Sequence, residues 1–273
     1  KDSIFEYEQF STLPTLFSKS NIRISKDSHT KMLTFWLKCA KFSFEVINNP
    51  YDFNKELLIE FIKRIHEYTE SKENGYYKVL LILYRLGVTV LTQPYVSKTG
   101  SFGATMLINN KPCIIITDMQ KKYHKLWLSL LHELYHVITD YDILQSTNCH
   151  ISSEKTPDLL FNEQKADSFA KNAIISQYIQ DHLSTIIKFP TKVHYLAKQL
   201  NINKSLIYGI YLENITQSKL REKEYRKYGN KEMLCNSDIA IKDIIFDPIQ
   251  NKNLNTSIRN IQNKMSNQNK ITL

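Results

Sequence analysis

A chain of 273 residues, 42% hydrophobic and 23% charged, has ordinary globular composition and can bury a sizeable core in one or two domains. Its most apolar run, Val79 to Thr92, is broken by Arg85 and no signal peptide precedes it, which excludes a membrane span and predicts a soluble, cytoplasmic protein. A formal net charge of +9 points to an acidic partner or nucleic acid, although part of it reflects Lys use in an Asn-, Ile- and Lys-rich composition; the four cysteines, Cys39, Cys113, Cys149 and Cys235, lie far apart without a C-x-x-C pair and read as reduced thiols.

Residues 1–24 have little periodicity and form a lead-in. From Ser28 to Asn48, Met32, Leu33, Trp36, Leu37, Ala40 and Phe44 recur at helical spacing, and Asn48-Asn49-Pro50 stops that helix. Asp52 or Asn54 caps the next, whose expected buried stripe is Leu57, Leu58, Phe61, Ile62 and Ile65. Asn74-Gly75 is a turn, and Tyr76 to Leu86 is a third helix ended by Gly87. The aromatic residues of this region read as core packing. The period then changes: Val88 to Gln93 is a β-branched strand, and Phe102 to Ile108 and Pro112 to Thr117 are strands joined by a turn at Asn109-Asn110-Lys111. An exposed sheet edge can take an extended peptide as an additional strand, and Phe102 to Ile108 is the expected edge.

The chemistry begins at Leu126. Leu126, Trp127, Leu130, Leu131, Leu134, Val137 and Ile138 fill one arc of a helix, and His132, Glu133 and His136 fill the opposite arc. Two His one turn apart can aim ring nitrogens at one metal ion, with Glu133 beside it to take a proton from water. With 8 His in the chain, an H-E-x-x-H arises by chance in about one such sequence per hundred. The motif still needs a third ligand, and Glu163 in Asn162-Glu163-Gln164-Lys165-Ala166-Asp167 is the candidate. Thr156-Pro157-Asp158 is the expected start of its helix, with the Thr156 hydroxyl as N-cap. Asp167 lies one turn after Glu163, placed to accept the second N–H of a metal-bound His, and Ala166, Ala170 and Ala173 allow close helix approach. Thr139 to Lys155 reads as a polar, irregular rim containing Cys149-His150. A catalytic zinc keeps one position open, which argues against His150 as a fourth ligand.

His132-Glu-Leu-Tyr-His136 followed by Glu163-x-x-Ala166-Asp167-x-Phe169-Ala170 resembles the ImmA/IrrE family of zinc metallopeptidases. Gly103-Ala104, Lys111-Pro112-Cys-Ile-Ile-Ile116-Thr and Trp127 are similar to the segment leading into that family's metal helix. The resemblance is strongest over residues 76–216 and weaker over about 12–75. It implies an α+β, zincin-like core with helical additions at both ends. It also implies Zn²⁺ on His132, His136 and Glu163, Glu133 as the catalytic base, and a transcriptional repressor as substrate in a stress, mobile-element or defence response. Such proteins commonly carry a DNA-binding helix-turn-helix ahead of this region, and since the sequence opens at Lys1 without Met, an upstream part is expected.

After Pro190, Val193, Ala197, Leu200, Asn201, Ile202, Ile207 and Ile210 match a helix-turn-helix pattern. A DNA reading would put Lys204, Ser205 and Tyr208 in a major groove. The favoured reading is a tight helical pair packed on the core, because the supposed recognition helix has no Arg. Residues 217–230, with Lys219, Arg221, Lys223, Arg226 and Lys227, read as a solvated basic helix, and the chain from Asn251 onward as loosely ordered. The expected organisation is a helical region over 1–75, a peptidase core over 76–216 and a basic, polar extension over 217–273. The function expected is proteolysis of one regulatory protein, with Tyr135, His150, Tyr178 and His194 as candidate oxyanion donors. The alternative is a DNA-binding or partner-binding regulator with a structural or sensory zinc site.

Overall fold

The computed structural model describes residues 28–93, 95, 99–153 and 161–242, and shows a mixed α+β chain: helices packed on both faces of a four-stranded sheet. The expected Thr156 helix start, the lead-in and the tail after Asn251 lie outside the described residues. Helix α1 (Ser28–Ile47) ends where Asn48 turns to a φ of 41°. Helix α2 (Lys55–Ile62) is capped by Asn54, whose side chain accepts from the Leu57 N–H at 2.9 Å, so Asn54 rather than Asp52 is the cap. Leu58, Ile62 and Ile65 are buried as expected, whereas Leu57, at the N3 position of this helix, is exposed. A short 3-10 turn (Ile65–Thr69) leads to α3 (Gly75–Arg85), which Gly87 terminates with a φ of 80° that only glycine adopts without strain.

Strands β1 (Thr89–Gln93), β2 (Ser101–Ile108) and β3 (Lys111–Thr117) follow, the last two joined by Asn109-Asn110, both at positive φ as a type I′ hairpin requires. The sheet order is β1-β3-β2-β4, with β1 parallel to β3 and the other pairs antiparallel. So β2 is not the edge. It is flanked by β3 and by a strand the sequence does not announce, β4 (Cys149–Ser153), which lies in the stretch expected to be irregular. That stretch also holds helix α5 (Tyr141–Thr147), ended by Asn148 at a φ of 62°. Cys149-His-Ile-Ser-Ser alternates apolar and polar residues over only five positions, too short to be distinguished from loop by pattern alone.

Period-two alternation sorts the sheet into two faces. Leu91, Ala104, Met106, Cys113 and Ile115 face α1, packing against Trp36, Leu37, Ala40 and Phe44. Val90, Ile114 and Ile116 face the larger core with α3 and helix α4 (Tyr123–Thr139), which supplies Leu126, Trp127, Leu130, Leu131, Leu134 and Val137. The same core takes in Leu58, Ile62 and Ile65 from the N-terminal region and Leu234, Ala240 and Ile241 from the C-terminal one. Helix α6 (Glu163–Asn172) lies against α4 through Ala166 and Ala170, both buried without a side chain to hold the helices apart.

Helices α7 (Gln177–Ile186), α8 (Pro190–Gln199), α9 (Lys204–Glu213), α10 (Ser218–Tyr228) and α11 (Asp238–Ile241) complete the fold. The α8–α9 pair is packed on the core: Ser205, Leu206, Ile207, Tyr208 and Ile210 are all buried, so Ser205 and Tyr208 have no surface to offer a DNA groove. Helix α10 is largely exposed, as its composition predicts. Cys39, Cys113, Cys149 and Cys235 are free thiols, and no described helix is long and apolar enough to cross a membrane.

Candidate metal centre

Helix α4 is amphipathic in sequence but buried nearly all round. Its apolar arc enters the main core, and its His132, Glu133 and His136 arc is covered by β2 on one side and α6 on the other. Asn162 caps α6, accepting the Lys165 N–H at 2.9 Å, and so starts that helix six residues beyond Thr156. The cap leaves Glu163 at the first helical position, where its carboxylate also meets the positive end of the helix dipole.

These elements bring the three expected ligands together. His132 Nε2 lies 3.2 Å from His136 Nε2 and 3.1 Å from Glu163 Oε2, and His136 Nε2 lies 3.5 Å from Glu163 Oε1. One donor atom from each residue falls within 4.8 Å of the other two, so all three can share one ion. The donor set fits a metal on a further count. Glu163 Oε1 is buried and receives no aligned hydrogen bond, a costly state for a carboxylate oxygen that a cation would relieve.

Both outer nitrogens of the two rings are held by carboxylates. His132 Nδ1 is 2.8 Å from Asp167 Oδ1, the contact expected of Asp167. His136 Nδ1 is 2.7 Å from Asp140 Oδ2, a contact the sequence reading missed. Its signal was the spacing, since an acid four residues after His136 stands one turn on along the same face. The charges sort accordingly. Burial opposes a proton on His132, but Asp167 and Glu163 outweigh it and raise its pKa to about 10. Burial, then the neighbouring rings of His150 and His132, press His136 down to about 3, which keeps it neutral and available to a metal. Burial also acts against ionised Glu163, yet contact with His132 and His150 holds its carboxyl well below the ordinary range.

Glu133 is apart from the converging donors and has its own grip. Thr105 on β2 donates its hydroxyl to Glu133 Oε2 at 2.6 Å. Gly103, two residues earlier on the same sheet face, leaves the room the carboxylate occupies: a Cβ there would stand 2.7 Å from Oε1. Neither residue was named as functional from sequence, because nothing local marks a strand Thr as partner to a Glu on a distant helix.

His150 is fully buried on β4, with its Nε2 3.0 Å from Glu163 Oε1 and its ring stacked on Phe161 at 4.0 Å and tilted against His136 at 4.3 Å. It flanks the ligand cluster without being one of the three donors. Of the other candidate oxyanion groups, Tyr135 packs its ring on His136 and Phe169, while Tyr178 and His194 are exposed on α7 and α8, the former 75% exposed with its ring tilted against His182. No family profile, curated protein or solved structure matches the chain.

Proposed function

We propose that the chain is a zinc-dependent endopeptidase of zincin type that cleaves a regulatory protein, such as a transcriptional repressor, in the cytoplasm. The observation that carries this reading is the convergence of His132, His136 and Glu163 on one point, with the non-ligating Glu133 beside them. Two imidazoles and a carboxylate are a donor set suited to Zn²⁺ that leaves one position open. The ion would supply polarisation of a substrate carbonyl and acidification of a water. The likeness to ImmA/IrrE peptidases over H-E-x-x-H and E-x-x-A-D agrees with that donor set and is the basis for a repressor as substrate. Four free cysteines are in keeping with a reducing compartment.

The chain's own residues divide the remaining work. Glu133 takes a proton from the attacking water and returns it to the leaving amine. Thr105 fixes one Glu133 oxygen, and the missing Cβ of Gly103 leaves the other free to receive that proton. Asp167 and Asp140 set the ring planes of His132 and His136 and keep their Nε2 atoms toward the shared point. His150 steadies Glu163 from the sheet side.

Co-expression with a candidate regulator, followed by mass measurement of that regulator, tests the reading. Wild type should yield a defined pair of fragments, and Glu133→Gln should yield none while keeping about one bound zinc and the wild-type melting temperature. Cleavage that persists in Glu133→Gln would remove Glu133 from the chemistry.

A further inference from the structure

The α4 face that carries the metal donors runs on toward the helix N-terminus into a second cleft. It is open to solvent, and its lining includes Phe102, Lys121, Lys122, Lys125, Ser129 and Ser237. Ser129 and Lys125 stand one and two turns before Glu133 on the same face, and Phe102 adjoins Gly103, which touches Glu133. At a rise of about 1.5 Å per residue, Lys125 is ~12 Å from Glu133 along the axis, about four residues of extended chain.

Cations outnumber anions in the lining of this cleft, with Lys121, Lys122 and Lys125 against Asp118. The first turn of the 17-residue α4 has no acidic residue and no side-chain cap, and its Tyr123 N–H is met by the Cys235 carbonyl at 2.9 Å rather than by an anion. Three lysines are added to it, although cations at that end are ordinarily unfavourable. Lys125 is already held by Glu213 at 2.9 Å, and its Nζ lies 5.9 Å from the centre of the Phe102 ring. Lys121 and Lys122 have no ion pair among the described residues. Asp118 also lines the cleft, but its Oδ1 accepts the Tyr95 N–H at 2.6 Å. An independent observation comes from Ser237, whose backbone N–H meets the Lys121 carbonyl at 3.3 Å. Ser237 is 1% exposed, and its buried hydroxyl has no hydrogen-bond partner. A buried donor without an acceptor, beside two lysines that have no ion pair among the described residues, is what an anion would satisfy.

We propose that this cleft is a subsite for an acidic side chain of the bound polypeptide, a proposal that rests on the peptidase reading. Asp or Glu fits its mixed lining: the carboxylate meets Lys121, Lys122 and Ser237, and the methylene stem meets Phe102 and Leu126. Nucleic acid is the weaker match, because phosphate recognition follows a track of free cations. The other basic run, on α10, has Arg221, Arg226 and Lys227 engaged by Glu213, Glu222 and Glu224.

The test uses the full chain, zinc-loaded and carrying Glu133→Gln so that bound peptide stays intact. A short fluorescein-labelled peptide of alternating Ala and Glu is titrated at low salt by anisotropy, beside its Ala/Gln and Ala/Lys counterparts. The Ala/Glu peptide should bind at least about tenfold more tightly than the Ala/Gln one. Lys121→Glu/Lys122→Glu should abolish that preference, and Ser237→Ala should reduce it by a smaller factor. Should charge reversal unfold the chain, Lys121→Gln/Lys122→Gln gives the same reading, with zinc content and melting temperature as controls. Equal binding of the Ala/Gln peptide, or a preference that survives loss of both lysines, overturns the proposal. So does displacement by inorganic phosphate or duplex DNA more readily than by unlabelled Ala/Glu peptide. Binding and cleavage are separate readouts. An acidic preference with no regulator cleaved would count against the peptidase and leave the subsite, and cleavage with no acidic preference would do the reverse.

Discussion

Helix α4 carries two buried histidine–carboxylate clusters, one at each end, and they are built to opposite effect. At its start, His124 is 2% exposed, packed so closely under Gly209 that a Cβ there would stand 2.2 Å from its ring. Its partner Glu213 is met by Lys125 at 2.9 Å and Arg221 at 3.1 Å, with His124 Nε2 at 3.9 Å. Fixed cations surround that carboxylate, so its charge is compensated within the chain. Two to three turns on, the described groups that meet the Glu163 carboxylate are imidazoles, those of His132, His136 and His150. A buried anion whose cations are covalently present is a strut. One whose neighbours are neutral-capable nitrogens is suited to the cation proposed for this site.

That contrast is most directly broken at the ligands. His132→Ala, His136→Ala or Glu163→Ala should each lose most of the bound zinc, whereas Glu213→Gln should lose none; metal analysis after gel filtration decides it. A Glu163→Ala protein at full stoichiometry would shift the third ligand elsewhere, with His150 nearest at hand. Next in size is Gly103→Ala. The new methyl must push the Glu133 carboxylate aside, so regulator cleavage should fall about 100-fold while zinc and melting temperature hold. The carboxylates behind the rings come third. Asp140→Asn and Asp167→Asn should weaken zinc about 10–100-fold in chelator competition. Asp140 should cost more, since its side chain is 11% exposed against 68% for Asp167. A titration curve for Asp167→Asn superimposable on wild type would make that contact a surface accident.

The smallest effect is at the strut. Glu213→Gln should destabilise by about 2 kcal/mol, a fall of roughly 4–8 °C in melting temperature, with zinc unchanged. Burial opposes the Glu213 charge, but His124, Lys125 and Arg221 outweigh it and lower its pKa from 4.5 to about 2. A folded pKa below the unfolded one contributes stability above pH 4.5 that is lost as pH falls toward 2. Urea melts at neutral pH and across that acid window should therefore show wild type and Glu213→Gln converging at the acid end.

The same contrast explains what could be read from residues alone. His132, Glu133 and His136 sit within one and a half turns of one helix, where a 3.6-residue period fixes relative positions before any fold is known. Asn109-Asn110 and Gly87 were legible for a similar reason, since positive φ restricts residue type locally. Thr105, Gly103 and His150 were not legible as a set, because their shared role depends on which strands pair and in which register. The outer strand itself was hidden by its length, and its absence from the reading made β2 look like an edge. Asp140 was recoverable, and the helical spacing that found Asp167 finds it too.

The pairing of β2 with β4 has a consequence of its own. Thr105 and His150 are direct cross-strand partners, so the group that grips Glu133 and the group that grips Glu163 occupy one rung of the sheet ladder. Cys149 and Ile151, on either side of His150, pack with the α1 cluster on the opposite face. A slip of β4 by one residue would exchange the two sets, turning His150 into the apolar layer and aiming Ile151 at the carboxylates. The proposed metal centre would thus be an assembly gauge for the last strand of the sheet: a chain that has closed its ladder one rung out can still be helical and compact, but it would lose the His150 contact that steadies Glu163.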